Sequence, residues 1–128
     1  LREIDMLRKV AFTMYPMKDT VRARKFYGEV LGLKEGSSGN QGDGWWVEYD
    51  LPGGGCFALT NFTPDAPSAS AGGTIAFEVD DLDALIADLK AKDVKFLGEM
   101  VHSPVCRMQV ISDSEGNSIL LHQLKHKH

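Results

Sequence analysis

The sequence carries one arrangement of apolar and acidic residues twice, at an interval of 62 residues. In the first copy, Asp19 follows the apolar run KVAFTMYP (9–16) and opens the amphipathic stretch DTVRARKFYGEVLGL. In the second copy, Asp81 follows GTIAFEV (73–79) and opens DLDALIADLKAKDV. β-Branched and aromatic residues favour strands, and a short acidic side chain caps a helix. Each copy is therefore predicted to begin with a strand and a helix, which is capped by Asp19 in the first copy and by Asp80 or Asp81 in the second.

Two more extended stretches follow the helix in each copy. They are WWVEYD (45–50) and GCFALTNF (55–62) in the first copy, and CRMQVIS (106–112) and NSILLHQ (117–123) in the second. GSSGNQGDG (36–44) is predicted to be a flexible connection, because glycine and small polar residues favour turns. His102, which precedes Ser103-Pro104, is predicted to lie in a loop.

The two copies are predicted to be modules of a single domain that spans residues 1–128. Module 1 covers residues 8–62 and module 2 covers residues 73–124, joined by the turn-rich linker 63–72. Neither module is long enough to bury a sufficient core alone, so the two are expected to share one.

This layout, with FYGEVLGL (26–33), AFEVDDLDA (76–84) and SDSEGNSILLHQ (112–123), resembles the vicinal oxygen chelate superfamily of glyoxalases, extradiol dioxygenases and bleomycin-resistance proteins. The resemblance covers roughly residues 8–124. It implies an α+β fold in which two βαβββ modules form a cupped eight-stranded mixed sheet with the helices outside. It also implies a homodimer with pockets at or near the subunit interface, as in the bleomycin-resistance branch.

The superfamily's metalloenzymes bind one divalent ion inside the cup, through a His on the first strand of each module and a Glu on the last. The positions that correspond here are Phe12, Ala58, Thr74 and Leu120. A divalent ion needs imidazole or carboxylate donors, and these four residues offer a single hydroxyl. We therefore expect no metal and no cofactor, and a binding protein rather than an enzyme.

The same positions predict a ligand pocket with apolar walls and a few polar groups at its edge. The candidate ligand-binding residues are Phe12, Met14, Trp46, Glu48, Ala58, Thr74, Glu78, Leu120 and His122. Alternation along a strand lets only one of Trp45 and Trp46 face the cup, and the sequence alone leaves that choice open. Such a pocket suits a flat organic molecule, aromatic or cationic, which the protein would sequester unchanged.

Two alternatives remain open at this point. The first is a metal-dependent, glyoxalase-like lyase or dioxygenase with a relocated site built from Glu48, Glu78, His102 and His122. The second is a non-catalytic accessory module whose cup is filled by its own side chains, because protein interiors pack tightly. Glu78 would have a raised pKa if it lay in the cup without a cation, and Arg107 is the candidate partner.

Composition narrows the partners and the compartment. The net charge is −4 and the basic residues are scattered, so nucleic acid is not an expected partner. No apolar run approaches the ~20 residues that cross a bilayer, so no membrane association is expected and a cytoplasmic location is predicted. Cys56 and Cys106 lack a zinc-type spacing and are expected to be reduced thiols. His126 and His128 belong to a terminal tail with no expected role.

Overall fold

The computed structural model describes residue 10 and residues 12–62 and 66–125. Module 1 consists of β1 (Thr13–Pro16), α1 (Thr20–Lys25), β2 (Glu35–Gln41), β3 (Gly44–Asp50) and β4 (Cys56–Thr60). Module 2 consists of β5 (Ile75–Glu78), α2 (Leu82–Ala91), β6 (Phe96–His102), β7 (Cys106–Ser112) and β8 (Ser118–Leu124). A π-helical turn, Phe26–Val30, extends α1. Within the described residues, no helix is long and apolar enough to cross a membrane.

The strands form two four-stranded mixed sheets, in the orders β1-β4-β3-β2 and β5-β8-β7-β6. The first and last strands of each module pair in parallel, and the other neighbours pair in antiparallel fashion. The predicted α+β fold of two βαβββ modules is confirmed. The predicted connection 36–44 was wrong, because most of it forms β2 and the turn into β3. The predicted loop position of His102 was also wrong, because His102 is the last residue of β6.

The 62-residue repeat holds at the level of single hydrogen bonds. The amide of Met17 donates to the carbonyl of Thr60 at 2.9 Å, and the amide of Val79 donates to that of His122 at 2.8 Å. Both residues of the second bond lie 62 positions after those of the first. In both modules, therefore, the segment between the first strand and the helix is held by the same backbone hydrogen bond to the last strand.

Both helices begin at the predicted caps. The Asp19 carboxylate accepts a 2.9 Å bond from the amide of Arg22, and Asp81 accepts a 3.0 Å bond from that of Ala84. After the helical turns of module 1, Gly32 has a φ of 73°. Glycine adopts this left-handed conformation without steric cost, which explains why the helix stops there.

One hydrophobic core serves both modules. Tyr27, Tyr49 and Phe57 from module 1 pack in the same cluster as residues such as Leu89 and Ile119 from module 2, all with at most 2% exposure. The rings of Phe57 and Phe77 lie 5.5 Å apart and join the two sheets. The linker prediction falls partly on residues 63–65, which lie outside the described residues.

The β7–β8 hairpin loop of module 2 closes onto the start of α1. One carboxylate oxygen of Glu115 accepts bonds from the amides of Lys18 (3.0 Å) and Asp19 (2.9 Å), and the other accepts from Arg22 Nε at 2.6 Å. In the same loop, Asp113 accepts a 2.9 Å bond from the buried hydroxyl of Tyr27. These polar contacts clamp the modules together along one side of their interface.

Candidate functional site

Each sheet has one face in the shared core and one face directed away from it, which we call the open face. Strand register assigns the faces, since residues paired across a ladder share a face. Met14 pairs with Ala58, which pairs with Glu48 on β3, and these residues belong to the open face of module 1. The intervening residues Val47 and Tyr49 are fully buried in the core.

An aromatic pair lies on the open face of module 1. The rings of Phe12 and Trp46 meet edge to face, with centroids 5.3 Å apart. The indole Nε1 of Trp46 donates a 2.7 Å bond to Glu48 Oε2, which fixes the ring beside a carboxylate. Trp45 points the other way, where the guanidinium of Arg24 lies 5.5 Å from its ring centroid. Trp46 is therefore the tryptophan of the open face.

Phe12 remains exposed on this face beside Met14, whereas Trp46 is half-buried. Phe12 is 45% exposed and Met14 is 47% exposed. Ala58 is fully covered and forms the floor between the larger side chains. The side chains of residues 12–62 and 66–125 leave Phe12 and Met14 uncovered on this face, which argues against the filled-cup alternative for module 1.

The open face of module 2 carries a paired histidine and glutamate. Glu78 and His122 are register partners on β5 and β8, and His122 Nδ1 lies 2.6 Å from Glu78 Oε1. Glu78 Oε2 also accepts a 3.1 Å bond from the amide of Leu124. An ionised carboxylate only accepts hydrogen bonds, so Nδ1 donates and Nε2 of His122 is left for another partner.

The pKa of Glu78 differs from the sequence-based expectation. Burial alone would raise the pKa of Glu78, but the hydrogen bonds from His122 and the Leu124 amide lower it below its ordinary value. Arg107, the predicted partner, instead donates to Asp83 at 3.0 Å and to Gln123 at 3.1 Å. The expectation of a raised pKa fails because strand pairing supplies His122 as the partner.

The remaining predicted positions also lie on open faces. Thr74 Oγ1 is 2.7 Å from Ser118 Oγ, just before β5 begins. Leu120 pairs with Ala76 on one side and with Val110 on the other. At the four positions of the usual metal site, Phe12, Ala58 and Leu120 carry only hydrocarbon side chains. The hydroxyl of Thr74 is already hydrogen-bonded to Ser118. These residues do not fit a divalent ion.

The relocated metal site does not assemble either. Among the described residues, no three His, Cys, Asp or Glu side chains are grouped closely enough to hold an ion. His102 pairs with Arg107, whereas His122 pairs with Met108, the next residue along β7. Successive residues of a strand face opposite sides, so His102 and His122 lie on opposite faces of their sheet. Cys106 is a free cysteine whose sulfur lies 3.2 Å from Ser103 Oγ.

Sequence analysis missed several residues of the open face of module 2. They are Ala76, Met108 and Val110, which register places beside Leu120 and His122. Alternation along CRMQVIS was visible in the sequence, but which of its two faces is open depends on pairing with β8. His126 and His128 lie outside the described residues.

Two βαβββ modules, each with a helix-covered face and an open face, define the architecture of the chain. Residues 9–121 match the model of the Glyoxalase/Bleomycin resistance protein/Dioxygenase superfamily, and the chain belongs to this family. No curated protein matches the chain.

Solved structures agree with this assignment. The chain is similar to TnmS3, an antibiotic binding protein from Streptomyces sp. CB03234, with 28% identity, a TM-score of 0.79, and coverage of 93% of this chain and 98% of that one. A glyoxalase/bleomycin resistance protein from the same organism shares 28% identity, with a TM-score of 0.74 and coverage of 90% and 100%. The trypanothione-dependent glyoxalase I of Leishmania major shares 27% identity, with a TM-score of 0.73 and coverage of 91% and 87%.

Proposed function

We propose that the protein is a metal-independent binding protein that sequesters a small organic molecule against its open faces. The observation that carries the proposal is the Phe12–Trp46 pair, in which Phe12 is exposed and Trp46 is half-buried, held beside the carboxylate of Glu48. Contiguous exposed apolar surface, unlike single scattered residues, often marks a binding site. Aromatic rings offer a large, rigid contact area at a low cost in conformational entropy.

The ligand class follows from the groups on these faces. Aromatic edges and faces favour a flat ring system, and an aromatic face also attracts a cation. Glu48 on one module and Glu78 on the other add negative charge, and the chain has a net charge of −4. We therefore propose a planar, aromatic or cationic ligand. The similarity to an antibiotic binding protein supports a role of the binding or resistance type.

Metal independence is supported by the residue types at the family's metal positions. Phe12, Ala58 and Leu120 carry no donor atom, and the Thr74 hydroxyl is bonded to Ser118. Without a metal to polarise a substrate, the open faces can bind and orient a molecule. The described residues contain no group of three His, Cys, Asp or Glu side chains that could hold a metal elsewhere, so we propose sequestration rather than conversion.

We also propose that the protein acts as a cytoplasmic homodimer. Within the part of the chain that the structure describes, the outer strands of the two sheets, β1 and β2 in one and β5 and β6 in the other, each pair on one side only. An unpaired strand edge is a ready site for another chain. Exposed apolar residues accompany the β1 edge, with Val10 76% and Met14 47% exposed. The free cysteines Cys56 and Cys106 are consistent with a reducing compartment.

The test compares two tryptophans that differ only in the face they occupy. Titration with 9-aminoacridine, a planar cation, should quench Trp fluorescence in the parent and in Trp45→Phe. Trp46→Phe should lose the saturable quenching, and 9-anthracenecarboxylate, a planar anion, should bind more weakly. Saturable quenching that persists in Trp46→Phe, or none in the parent, would contradict the proposed site.

Metal content separates the binder from the enzyme alternative. Protein purified without a metal-affinity column should contain less than about 0.1 equivalent of any divalent metal, because the site lacks ligands. Near-stoichiometric iron, nickel, zinc or manganese would instead favour a metal-dependent lyase or dioxygenase.

A further inference from the structure

The two hairpin loops 51–55 and 113–117 occupy equivalent places in the two modules. In each loop the first amide donates to the last carbonyl, at 3.1 Å from Leu51 to Gly55 and at 2.9 Å from Asp113 to Asn117. The loop of module 2 is clamped against the start of α1 by Glu115. The loop of module 1 lies across a cavity from Asp80 and Leu85, near the start of α2. The two sides of the intermodule interface are therefore equivalent in position but differ in their side chains.

The side chains that close the clamped side have no counterparts on the other side. The 62-residue offset pairs Glu115 with Gly53, Arg22 with Ala84, Asp113 with Leu51, and Tyr27 with Leu89. Each polar group of the clamp is thereby replaced by glycine or by an apolar side chain. The second side has lost both the hydrogen bonds and the side-chain volume that close the first.

A cavity of about 610 Å³ lies at this second side. Its apolar walls are Leu31, Leu33 and Leu51 of module 1 and Phe77, Val79 and Leu85 of module 2. We call this space the intermodule cavity. Its size and apolar lining are those of a small-molecule pocket. Phe77 and Leu85 belong to the helix side of their sheet, whereas Ala76 and Glu78, which also line the cavity, belong to the open face of module 2, so the cavity adjoins that face at β5.

The charges around the intermodule cavity have one sign. Its lining residues include Glu78 and Asp80 and no Lys, Arg or His. The Glu78 carboxylate is already bound to His122 and to the Leu124 amide. Asp80 is exposed and forms no ion pair with any residue in the described part of the chain. A molecule with an apolar body and one positive charge would contact the apolar walls and form an ion pair with Asp80.

We propose that the intermodule cavity is a second ligand site, which takes a hydrophobic molecule carrying a protonated amine. The apolar body lies between the Leu31–Leu33 segment and Phe77, and the ammonium group lies at Asp80. This site is distinct from the Phe12–Trp46 site of module 1, because neither aromatic residue lines it, although it shares Glu78 with the open face of module 2.

The experiment uses n-octylammonium as the probe and octanoate as its anionic match. Amide resonances of the full chain are followed by two-dimensional NMR during each titration. We expect saturable shifts at Phe77, Val79 and Leu85 with octylammonium, at a dissociation constant on the order of 1 mM for a ligand of this size. Octanoate should bind at least about threefold more weakly, as the charge of one exposed carboxylate predicts.

Two variants test the assignment in different ways. At Gly53 an added Cβ meets no atom within 4 Å and φ is not in the left-handed region, so Gly53→Leu is sterically allowed. It should fill the cavity and weaken octylammonium binding at least about tenfold. Asp80→Asn should leave the walls intact and remove the preference for octylammonium over octanoate. Gly39→Leu, at another position with open space around the new Cβ, is the matched control.

Three results would overturn the proposal. Octylammonium shifts centred on Trp46 and His122 would place the ligand on the open faces. An unchanged affinity in Gly53→Leu would exclude the cavity. Shifts of Phe77 and Leu85 that depend on protein concentration and not on octylammonium would make this side a contact between two copies of the chain. The acridine titration does not depend on any of these results, so the two sites can fail separately.

Discussion

The hydroxyl of Tyr15 donates a 2.9 Å hydrogen bond to the backbone carbonyl of Ser118, 103 residues further along the chain. The same hydroxyl accepts a bond from the amide of Ile75. Ile75 and Ser118 lie at the beginning of the parallel strands β5 and β8. The amide of Val79 donates to the carbonyl of His122 further along these strands, and the same pattern would join the Ile75 amide directly to the Ser118 carbonyl. A side chain of module 1 thus completes the ladder of module 2.

Removing this hydroxyl should destabilise the protein. Tyr15→Phe leaves a strand amide and a carbonyl without their shared partner, and an unpaired buried polar group costs about 1–3 kcal/mol. We expect the free energy of unfolding, measured by urea denaturation, to fall by that amount.

Tyr49→Phe is the matched control for this prediction. Tyr49 is fully buried, and its hydroxyl has no hydrogen-bond partner within the described residues. Burial raises the pKa of Tyr49 to about 12, as expected for a phenol that is hard to ionise there. Removing this hydroxyl should be neutral or stabilising by up to about 1 kcal/mol. Equal losses in the two variants would show that the Tyr15 bridge adds nothing beyond ring packing.

The Glu115 clamp should make stability depend on acid pH. Burial alone would raise the pKa of Glu115, but bonds from Arg22 and from the amides of Asp19 and Lys18 lower it from 4.5 to about 2. A carboxylate with a lowered folded-state pKa stabilises the fold fully above its ordinary value. We therefore expect this contribution to be lost as the pH falls from 4.5 towards 2.

Glu115→Gln should remove that dependence. We expect a loss of ~2 kcal/mol at pH 7, below the full linkage value because solvent screens the pair. Arg22 is indeed 55% exposed at its side chain. The difference between parent and variant should shrink between pH 4.5 and 2 in urea denaturation. Asp88→Asn, which breaks only the exposed pair with Lys92, is the control, and a difference independent of pH would argue against the clamp.

The repeat made most of the fold predictable from the sequence. Both Asp19 and Asp81 cap helices as expected, since capping depends on local contacts within one turn. The strand β2 could not be predicted from EGSSGNQ, because its residues have poor strand propensity. Pairing with the aromatic strand β3 forms it, and tertiary contacts of this kind leave no local signal.

The site could be predicted only where it depends on the alternation of side chains along a single strand. Period 2 placed Leu120 with His122 on one face, as the register of β8 has them, and it placed Phe12 with Met14, in agreement with the contact of Phe12 with Trp46. The choice between Trp45 and Trp46 required the pairing of β3 with β4. The Glu78–His122 pair links residues 44 positions apart, so no sequence window contains it.

The Glu78 carboxylate should report on the geometry of module 2 in solution. Its pKa is lowered, so it remains ionised below the ordinary value and continues to hold the Leu124 amide as the pH falls. The Leu124 amide resonance should move when Glu78 finally protonates. In Glu78→Gln this acid transition should vanish while Asp81, the α2 cap, keeps its effect on the Ala84 amide. A Leu124 transition that survives in Glu78→Gln would assign it to another group.

A metal site engineered at the family's usual ligand positions would test whether Phe12, Thr74 and Leu120 point towards a common centre. The triple variant Phe12→His, Thr74→His, Leu120→Glu places two imidazoles and a carboxylate on the open faces, and such a set suits a divalent ion. We expect calorimetry with Ni²⁺ or Zn²⁺ to show binding at least about tenfold tighter than to the parent.

The control for the engineered site moves one ligand to the opposite face of β1. Thr13 is exposed and adjacent to Phe12. Thr13→His in place of Phe12→His therefore keeps the same ligand types but places one imidazole on the opposite face of β1. If the open faces meet in one cup, only the first triple variant gains affinity. Equal affinities in the two variants would show that the open faces of the two modules do not converge, and the ligand of Phe12 and Trp46 would then contact module 1 alone.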